Sequence, residues 1–103
     1  PWAAEHVVLA SATDWNVYTA PSWARQVVIK NEHASGTLYL GRYDETGTFR
    51  AANDEYITIP AGGAVTLTIT AGTGTTDAAH YAIPLASVTA SLPVGILSVE
   101  TAE

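Results

Sequence analysis

Val65-Thr66-Leu67-Thr68-Ile69-Thr70 alternates three apolar side chains with three threonines. Successive side chains of a β-strand point to opposite faces of the sheet, so this stretch predicts a strand with one buried apolar face and one threonine face. The turn residues Pro60-Ala61-Gly62-Gly63 precede it, and before them lies the alternating segment from Tyr56 to Pro60, with Ile57 and Ile59 expected to face inward. We therefore expect a β-hairpin around this turn.

The same kind of pattern recurs along the chain, at a spacing of roughly 8 to 12 residues that is typical of sandwiches and barrels. The segments at 25–31 and 37–42 flank a short turn and predict a second hairpin. A helix is arguable only within 78–92, where Pro84 argues against it. The other predicted strands are residues 6–10, 15–19, one or two strands within 78–92 that Pro84 interrupts, and 94–100.

These strands predict a single-domain, all-β, antiparallel β-sandwich that is jelly-roll-like or immunoglobulin-like, with a small barrel as the alternative. The length of 103 residues suits one domain of about 100 residues. The polar, glycine-containing segment at 43–55 predicts a long loop. We expect residues 1–5 to form an N-terminal arm and residues 6–103 to form the β-sandwich domain.

Composition argues against several classes of function. The chain has 4 Lys and Arg against 10 Asp and Glu, a formal net charge of -6 that disfavours binding to a phosphate backbone. It has no cysteine, which removes disulfides and thiolate metal sites. No segment has the roughly 20 apolar residues that span a bilayer. Only 14% of the residues are charged, which suits a protein packed against other proteins, although its many small residues also dilute the charged fraction.

No motif predicts catalysis or a bound cofactor. His6, His33 and His80 are scattered, and no serine lies in a G-x-S-x-G context. Two acidic pairs, Asp44-Glu45 and Asp54-Glu55, bracket the predicted loop and could form a calcium site or an acid/base pair. Their spacing matches no EF-hand, so we expect solvated carboxylates, no metal, no cofactor and no enzymatic activity.

The aromatic residues are the candidates for binding. Tryptophan side chains fill cores, anchor protein interfaces and stack on sugar rings, and the sequence leaves these three uses open. Trp2 is the strongest interface candidate because a residue so close to the first position has no obvious place in the core. The residues that we predict for an interface are Pro1, Trp2, Trp15, Trp23 and Phe49.

Three segments resemble small β-sandwich structural proteins of tailed phages. They are A-R-Q-V-V-I-K-N at 24–31, G-T-L-Y-L-G at 36–41 and I-P-A-G-G-A-V-T-L at 59–67. In those proteins an R-x-V-x-I-x-N strand, a Y-L-G strand and an I-P-A-G-G turn occur in this order. The segments at 47–50 and 94–97 are also similar to pieces of lambda-like head decoration proteins, where they occur in the opposite order.

The resemblance implies a capsid decoration, or cement, protein. Such a protein binds across subunits of the major capsid protein on the outer surface of the virion, after synthesis in the host cytoplasm, and stabilises the head. It also implies a homo-oligomer, with a trimer favoured, and no nucleic-acid or membrane partner. The alternative is a carbohydrate-binding or receptor-binding module of a phage tail or fibre, in which the three tryptophans and the loop would form a sugar platform.

Overall fold

The structure, a computed structural model, describes residues 2–10, 14–21, 23–41, 49, 56–68 and 82–100. Within these ranges the chain forms eight β-strands and no helix. The strands are β1 (Trp2–Leu9), β2 (Asn16–Thr19), β3 (Gln26–Asn31), β4 (Leu38–Gly41), β5 (Tyr56–Ile59), β6 (Ala64–Thr68), β7 (Ala82–Ala86) and β8 (Leu92–Val99).

The strands form two four-stranded antiparallel sheets. The first sheet has the order β1-β8-β3-β6, and the second has the order β2-β7-β4-β5. The first strand pairs with the last, the second with the seventh, the third with the sixth and the fourth with the fifth. This nested pairing is a long hairpin rolled into two sheets, which is the jelly roll. The predicted β-sandwich is confirmed, and the strand order selects the jelly roll over the immunoglobulin arrangement.

Both predicted hairpins are wrong. β3 lies in the first sheet and β4 in the second, while β5 lies in the second sheet and β6 in the first. The turn after β5 does form, with the Gly63 N–H donating to the Pro60 carbonyl at 2.8 Å and Gly62 at a φ of 77°. Each connection crosses the sandwich, because the jelly roll places consecutive strands in opposite sheets at these points. Local alternation specifies a strand and a turn but not the sheet that the strand joins.

The predicted N-terminal arm is part of the first sheet. Residues 2 to 5 belong to β1 and pair with residues 99 to 96 of β8. The sequence hides this because β1 is an edge strand whose side chains are mostly exposed, so it lacks a clean apolar alternation. Pro1 lies outside the described residues, as does the predicted loop at 43–55 apart from Phe49.

The predicted strand faces are largely correct. In β3, Val27 and Ile29 are fully buried, whereas Val28 is half-buried on the opposite face. In β6, Val65 and Leu67 are half-buried and the threonines between and after them are exposed. Ile57 lies on the inward side with Ile59, opposite the buried Leu40, but it is 53% exposed because β5 is an edge strand.

Pro84 does not interrupt its strand. β7 runs through it from Ala82 to Ala86, and the proline is fully buried. The pairing of β7 with β4 extends from Ala86 only to Leu85, so it stops next to the residue that has no N–H to donate. A proline is therefore accommodated in an inner strand of the sheet.

The core lies between the two sheets. β3 and β8 contribute the central residues of the first sheet, and β4, β5 and β7 contribute those of the second. The largest fully buried apolar side chains are Ile29, Leu38, Ile59, Leu85, Leu92, Val27 and Val94. Burying such a side chain contributes about 1.5 to 3 kcal/mol relative to exposure, so this layer is the main source of stability.

Asn31 is a fully buried polar residue at the end of β3. Its Nδ2 donates to the carbonyls of Gly36 at 2.8 Å and Ile59 at 2.9 Å, and its Oδ1 accepts from the His33 N–H at 3.0 Å. Its backbone N–H donates to the Gly63 carbonyl, and its own carbonyl accepts from the Gly62 N–H, both at 2.9 Å. Asn31 therefore ties two of the sheet-crossing connections, β3–β4 and β5–β6, to the first sheet.

We expect Asn31→Ala to lower the free energy of unfolding by about 2 kcal/mol or more, because it leaves buried backbone groups without partners. Urea denaturation measures the change. Asn16→Ala is the matched control, since Asn16 is exposed on β2 and its loss should cost about 0.5 kcal/mol at most. Equal stability of the two variants would contradict the role given to Asn31.

Candidate interface

The first sheet has an outer face that no other described strand covers. Alternate residues of its four strands point away from the core, and the strand register places them in rows across the sheet. Two of these rows are Trp2, Val99, Gln26 and Thr68, followed by Ala4, Leu97, Val28 and Thr66. We call this surface the outer face of the first sheet.

This face is apolar and accessible. Trp2 is 70% exposed, Val8 is 65% exposed and Leu97 is 38% exposed, while Val28 and Val99 are half-buried beside them. The other outward residues of the four strands are Ala4, His6, Gln26, Lys30, Ala64, Thr66, Thr68, Pro93 and Gly95. Trp2, Val99, Leu97 and Val28 lie in two adjacent rows, and exposed apolar surface of this kind marks sites of interaction with other macromolecules. Val8 is separated from them by the row that contains His6.

The outer face carries little charge. Lys30 lies in the row that also holds His6, Gly95 and Ala64. The His6 Nδ1 lies 2.9 Å from the Glu32 Oε1, and the Glu32 carboxyl group passes over Gly95, where a Cβ would approach it to 2.9 Å. Gly95 thus leaves room for Glu32 to reach across β8 to β1. Among the described residues of its four strands and Glu32, this face carries one cation, Lys30, and one carboxylate, which contacts His6.

The outer face of the second sheet is different, because an aromatic cluster covers part of it. Phe49 packs against Trp15 and Tyr39 with ring centroids 4.9 Å apart in each pair, and against Tyr56 at 5.7 Å. The Trp15 indole lies on Gly41, where a Cβ would come within 2.8 Å of the ring. Pro84 and Ala86, on the outward side of β7, are buried. This face forms a second small core and leaves little apolar surface for a partner.

The structure separates the predicted interface residues. Trp2 is exposed on the first sheet, Trp15 is half-buried in the aromatic cluster, and Trp23 is half-buried against the main core. Phe49 is only 5% exposed, so little of its side chain can contact a partner. The three tryptophans do not share a surface, which argues against a single sugar platform.

Sequence reasoning missed Val8, Val28 and Leu97. A signal was present, because the pairs Val7-Val8 and Val27-Val28, and the run Ile96-Leu97, place apolar residues on both faces of their strands. Strands that are apolar on both sides are expected where both sheet faces are covered. In this protein the second sheet covers the inner face of the first sheet, and no other described strand covers its outer face.

A groove opens between the edge strands β1 and β2. It has a volume of about 220 Å³ and is lined by residues 7–9 of β1, residues 16–18 of β2 and Leu85. Its lining is mostly aliphatic, with Asn16 and Tyr18 as the polar members. We call it the edge groove.

Tyr18 links the two sheets beside this groove. Its hydroxyl donates a hydrogen bond of 2.8 Å to the Glu5 Oε2. Burial raises the pKa of the Tyr18 phenol above the ordinary value of 10.0, the nearby Ser98 hydroxyl offsets part of the rise, and Glu5 adds to it. The Ser98 Oγ is fully buried and has no partner of good hydrogen-bond geometry, so its influence on Tyr18 reflects proximity.

The described residues hold no group of three or more His, Cys, Asp or Glu side chains that could bind a metal ion. Among the same residues, no helix is long and apolar enough to cross a membrane. No family model matches the chain, and no curated protein is significantly similar to it.

We expect Tyr18→Phe to change how stability depends on pH above pH 10. The folded protein keeps the Tyr18 proton to a higher pH than the unfolded chain does, so this group's contribution to folding is lost as the pH rises from 10.0 through the raised pKa. Urea denaturation of both proteins below and above pH 10.0 measures the effect. The wild type should lose more stability than Tyr18→Phe, whereas parallel pH profiles would contradict the assignment.

Proposed function

We propose that this protein is a non-enzymatic structural component of a phage virion, a capsid decoration protein. It binds across subunits of the major capsid protein on the outer surface of the head and stabilises the shell. The observation that carries the proposal is the outer face of the first sheet, a broad apolar surface on a small domain. The sequence resemblance to small phage β-sandwich proteins supplies the class of partner.

The charge of the outer face supports protein binding. The chain has a net charge of -6, yet this face presents Lys30 against Glu32, with Glu32 already paired to His6. Desolvating a nearly neutral surface costs less than desolvating a charged one. The rest of the acidic surface would keep free copies soluble before they dock.

The size of the face favours attachment through several contacts. Strands are about 4.8 Å apart and rise about 3.3 Å per residue, so the four-stranded face covers roughly 400 Å² in projection. A standard interface buries about 800 Å² of accessible surface on each partner. One copy therefore supplies a modest contact, and linked copies would hold the shell more durably. Self-association is part of the proposal, and the resemblance implies a trimer.

Point substitutions on the face test this function better than removal of residues 1–5, which would delete half of β1. We expect Trp2→Ala and Leu97→Lys each to reduce occupancy on undecorated capsids at least tenfold, because the first removes the most exposed apolar side chain of the face and the second places a charge on an inner strand of it. Co-sedimentation of the purified protein with capsids measures occupancy. Thermal unfolding of each variant confirms that it is folded.

Val88→Lys is the matched control, since Val88 is 57% exposed but lies in the connection between β7 and β8. It should bind capsids like the wild type. Full occupancy by both face variants would overturn the proposal. Binding to host polysaccharide on a glycan array, with no binding to capsids, would replace it with the receptor-binding alternative.

A further inference from the structure

We infer that two copies of this chain associate by antiparallel pairing of their β1 strands, with Glu5 opposite Glu5 of the second copy. The inference rests on the self-association within the proposed function and gives it a contact and a symmetry. The two first sheets then join into one eight-stranded sheet. The arrangement is a two-fold dimer, in place of the trimer that the resemblance implies.

β1 is the longest free sheet edge among the described strands. It has eight residues, whereas the other edge strands β2, β5 and β6 have four, four and five. Its pairing with β8 is continuous from Trp2 to Leu9, without a bulge, and it contains no lysine or proline. Bulges, lysines, prolines and short length are the usual protections of an edge strand. β1 keeps one protection, the charge of Glu5.

The pattern of exposure on β1 is symmetric about Glu5. Trp2 and Val8 are its two large exposed apolar residues, and they lie three positions before and three positions after Glu5 on the same face. In the register centred on Glu5, Trp2 of each copy lies directly opposite Val8 of the other. Pairs of an aromatic and a β-branched residue are favourable across antiparallel strands. The dimer therefore contains this Trp2–Val8 pair twice, and both side chains of each copy are covered.

A two-fold axis perpendicular to the sheet restricts the possible registers. Residues directly opposite each other on antiparallel strands lie on the same face of the sheet, whereas successive residues of one strand alternate between faces. The two-fold axis must therefore pass beside a residue that lies opposite its own copy, and not between two residues. An axis at Ala4 would place Trp2 opposite His6, and an axis at His6 would place Trp2 opposite Ala10. Only the axis at Glu5 pairs Trp2 with Val8.

The same register covers part of the edge groove. Ala3 of the second copy lies opposite Val7, on the inward side of the sheet, next to the groove that residues 7–9 line. The groove is lined mainly by aliphatic side chains at this point, and the alanine adds only a methyl group to it. The contact therefore covers apolar surface on both sides of the joined sheet.

Glu5 limits the strength of the contact. Like charges directly opposite each other on paired strands are destabilising. The Tyr18 hydroxyl holds the Glu5 carboxylate toward β2 at 2.8 Å, which draws it away from the axis but keeps it in place. The dimer is thus weak and reversible in free protein. Since the contact is isologous it closes on itself, and no fibre results.

Dimerisation would enlarge the proposed docking surface. The axis perpendicular to the sheet leaves both outer faces pointing in the same direction, so they form one continuous apolar surface. Such a surface has twice the area of one copy and can span two capsid subunits. Simultaneous engagement at both sites raises the apparent affinity without any new kind of contact.

Single cysteines test the contact and its register, because the natural chain contains none. We expect Glu5→Cys to form an intermolecular disulfide under mild oxidation, since residues directly opposite on paired strands have Cα atoms close enough for the bond. Ala4→Cys and His6→Cys are the matched controls, because their symmetry mates lie more than about 7 Å apart in this register. Non-reducing electrophoresis measures the yields. Equal yields at the three positions, or the highest yield at position 4 or 6, would overturn the inference.

Sedimentation equilibrium provides a second measurement without a cross-link. Glu5→Gln keeps an acceptor for Tyr18 and removes the like-charge opposition, so it should tighten the dimer at least threefold. Leu97 lies on an inner strand, so Leu97→Lys should leave dimerisation unchanged while it reduces capsid occupancy at least tenfold. A monomer or a trimer for both the wild type and Glu5→Gln would overturn the two-fold contact. Capsid binding that persists in that case would leave docking through the outer face intact, and a monomer would remove only self-association from the proposed function.

Discussion

The hydrogen bonds of the buried Asn31 carboxamide are the constraint on which the arrangement of the two sheets depends. A jelly roll requires the chain to pass repeatedly from one sheet to the other, and each passage leaves backbone groups without a ladder partner. Asn31 satisfies such groups in two passages at once, through the carbonyls of Gly36 and Ile59. A buried group whose polar atoms are both hydrogen-bonded favours one geometry, because any displacement leaves several partners unsatisfied.

The sequence was sufficient for the fold class because strand formation is a local property. The alternation in β3 and β6 reports which side chains face the core, and the structure confirms those faces. Strand pairing is not local. The 60–63 turn has hairpin chemistry, yet β6 pairs with β3, since the side chains of β5 and β6 complete opposite layers of the sandwich. An edge strand such as β1 gives the weakest signal of all, because burial does not impose a period on it.

The candidate interface was only partly predictable for a related reason. Trp2 was identifiable by its position near the first residue, whereas Val28 and Leu97 belong to strands whose apolar residues all suggest a core. Only three-dimensional packing distinguishes a covered sheet face from an open one. Phe49 illustrates the opposite case, since it is remote in sequence from the strands yet packs on Tyr39 and Trp15 and closes the second sheet. The two outer faces therefore differ because aromatic residues cover one and not the other.

The pairing of β1 with β8 joins segments about ninety positions apart in sequence. During translation, β1 cannot pair with β8 until the ribosome has released the residues between them and β8 itself. Native contacts between such distant segments slow folding, because the entropy of closing the intervening chain is lost before the contacts form. The nascent chain thus presents the apolar residues of β1 until β8 has emerged, and this interval exposes it to chaperone capture or misassociation.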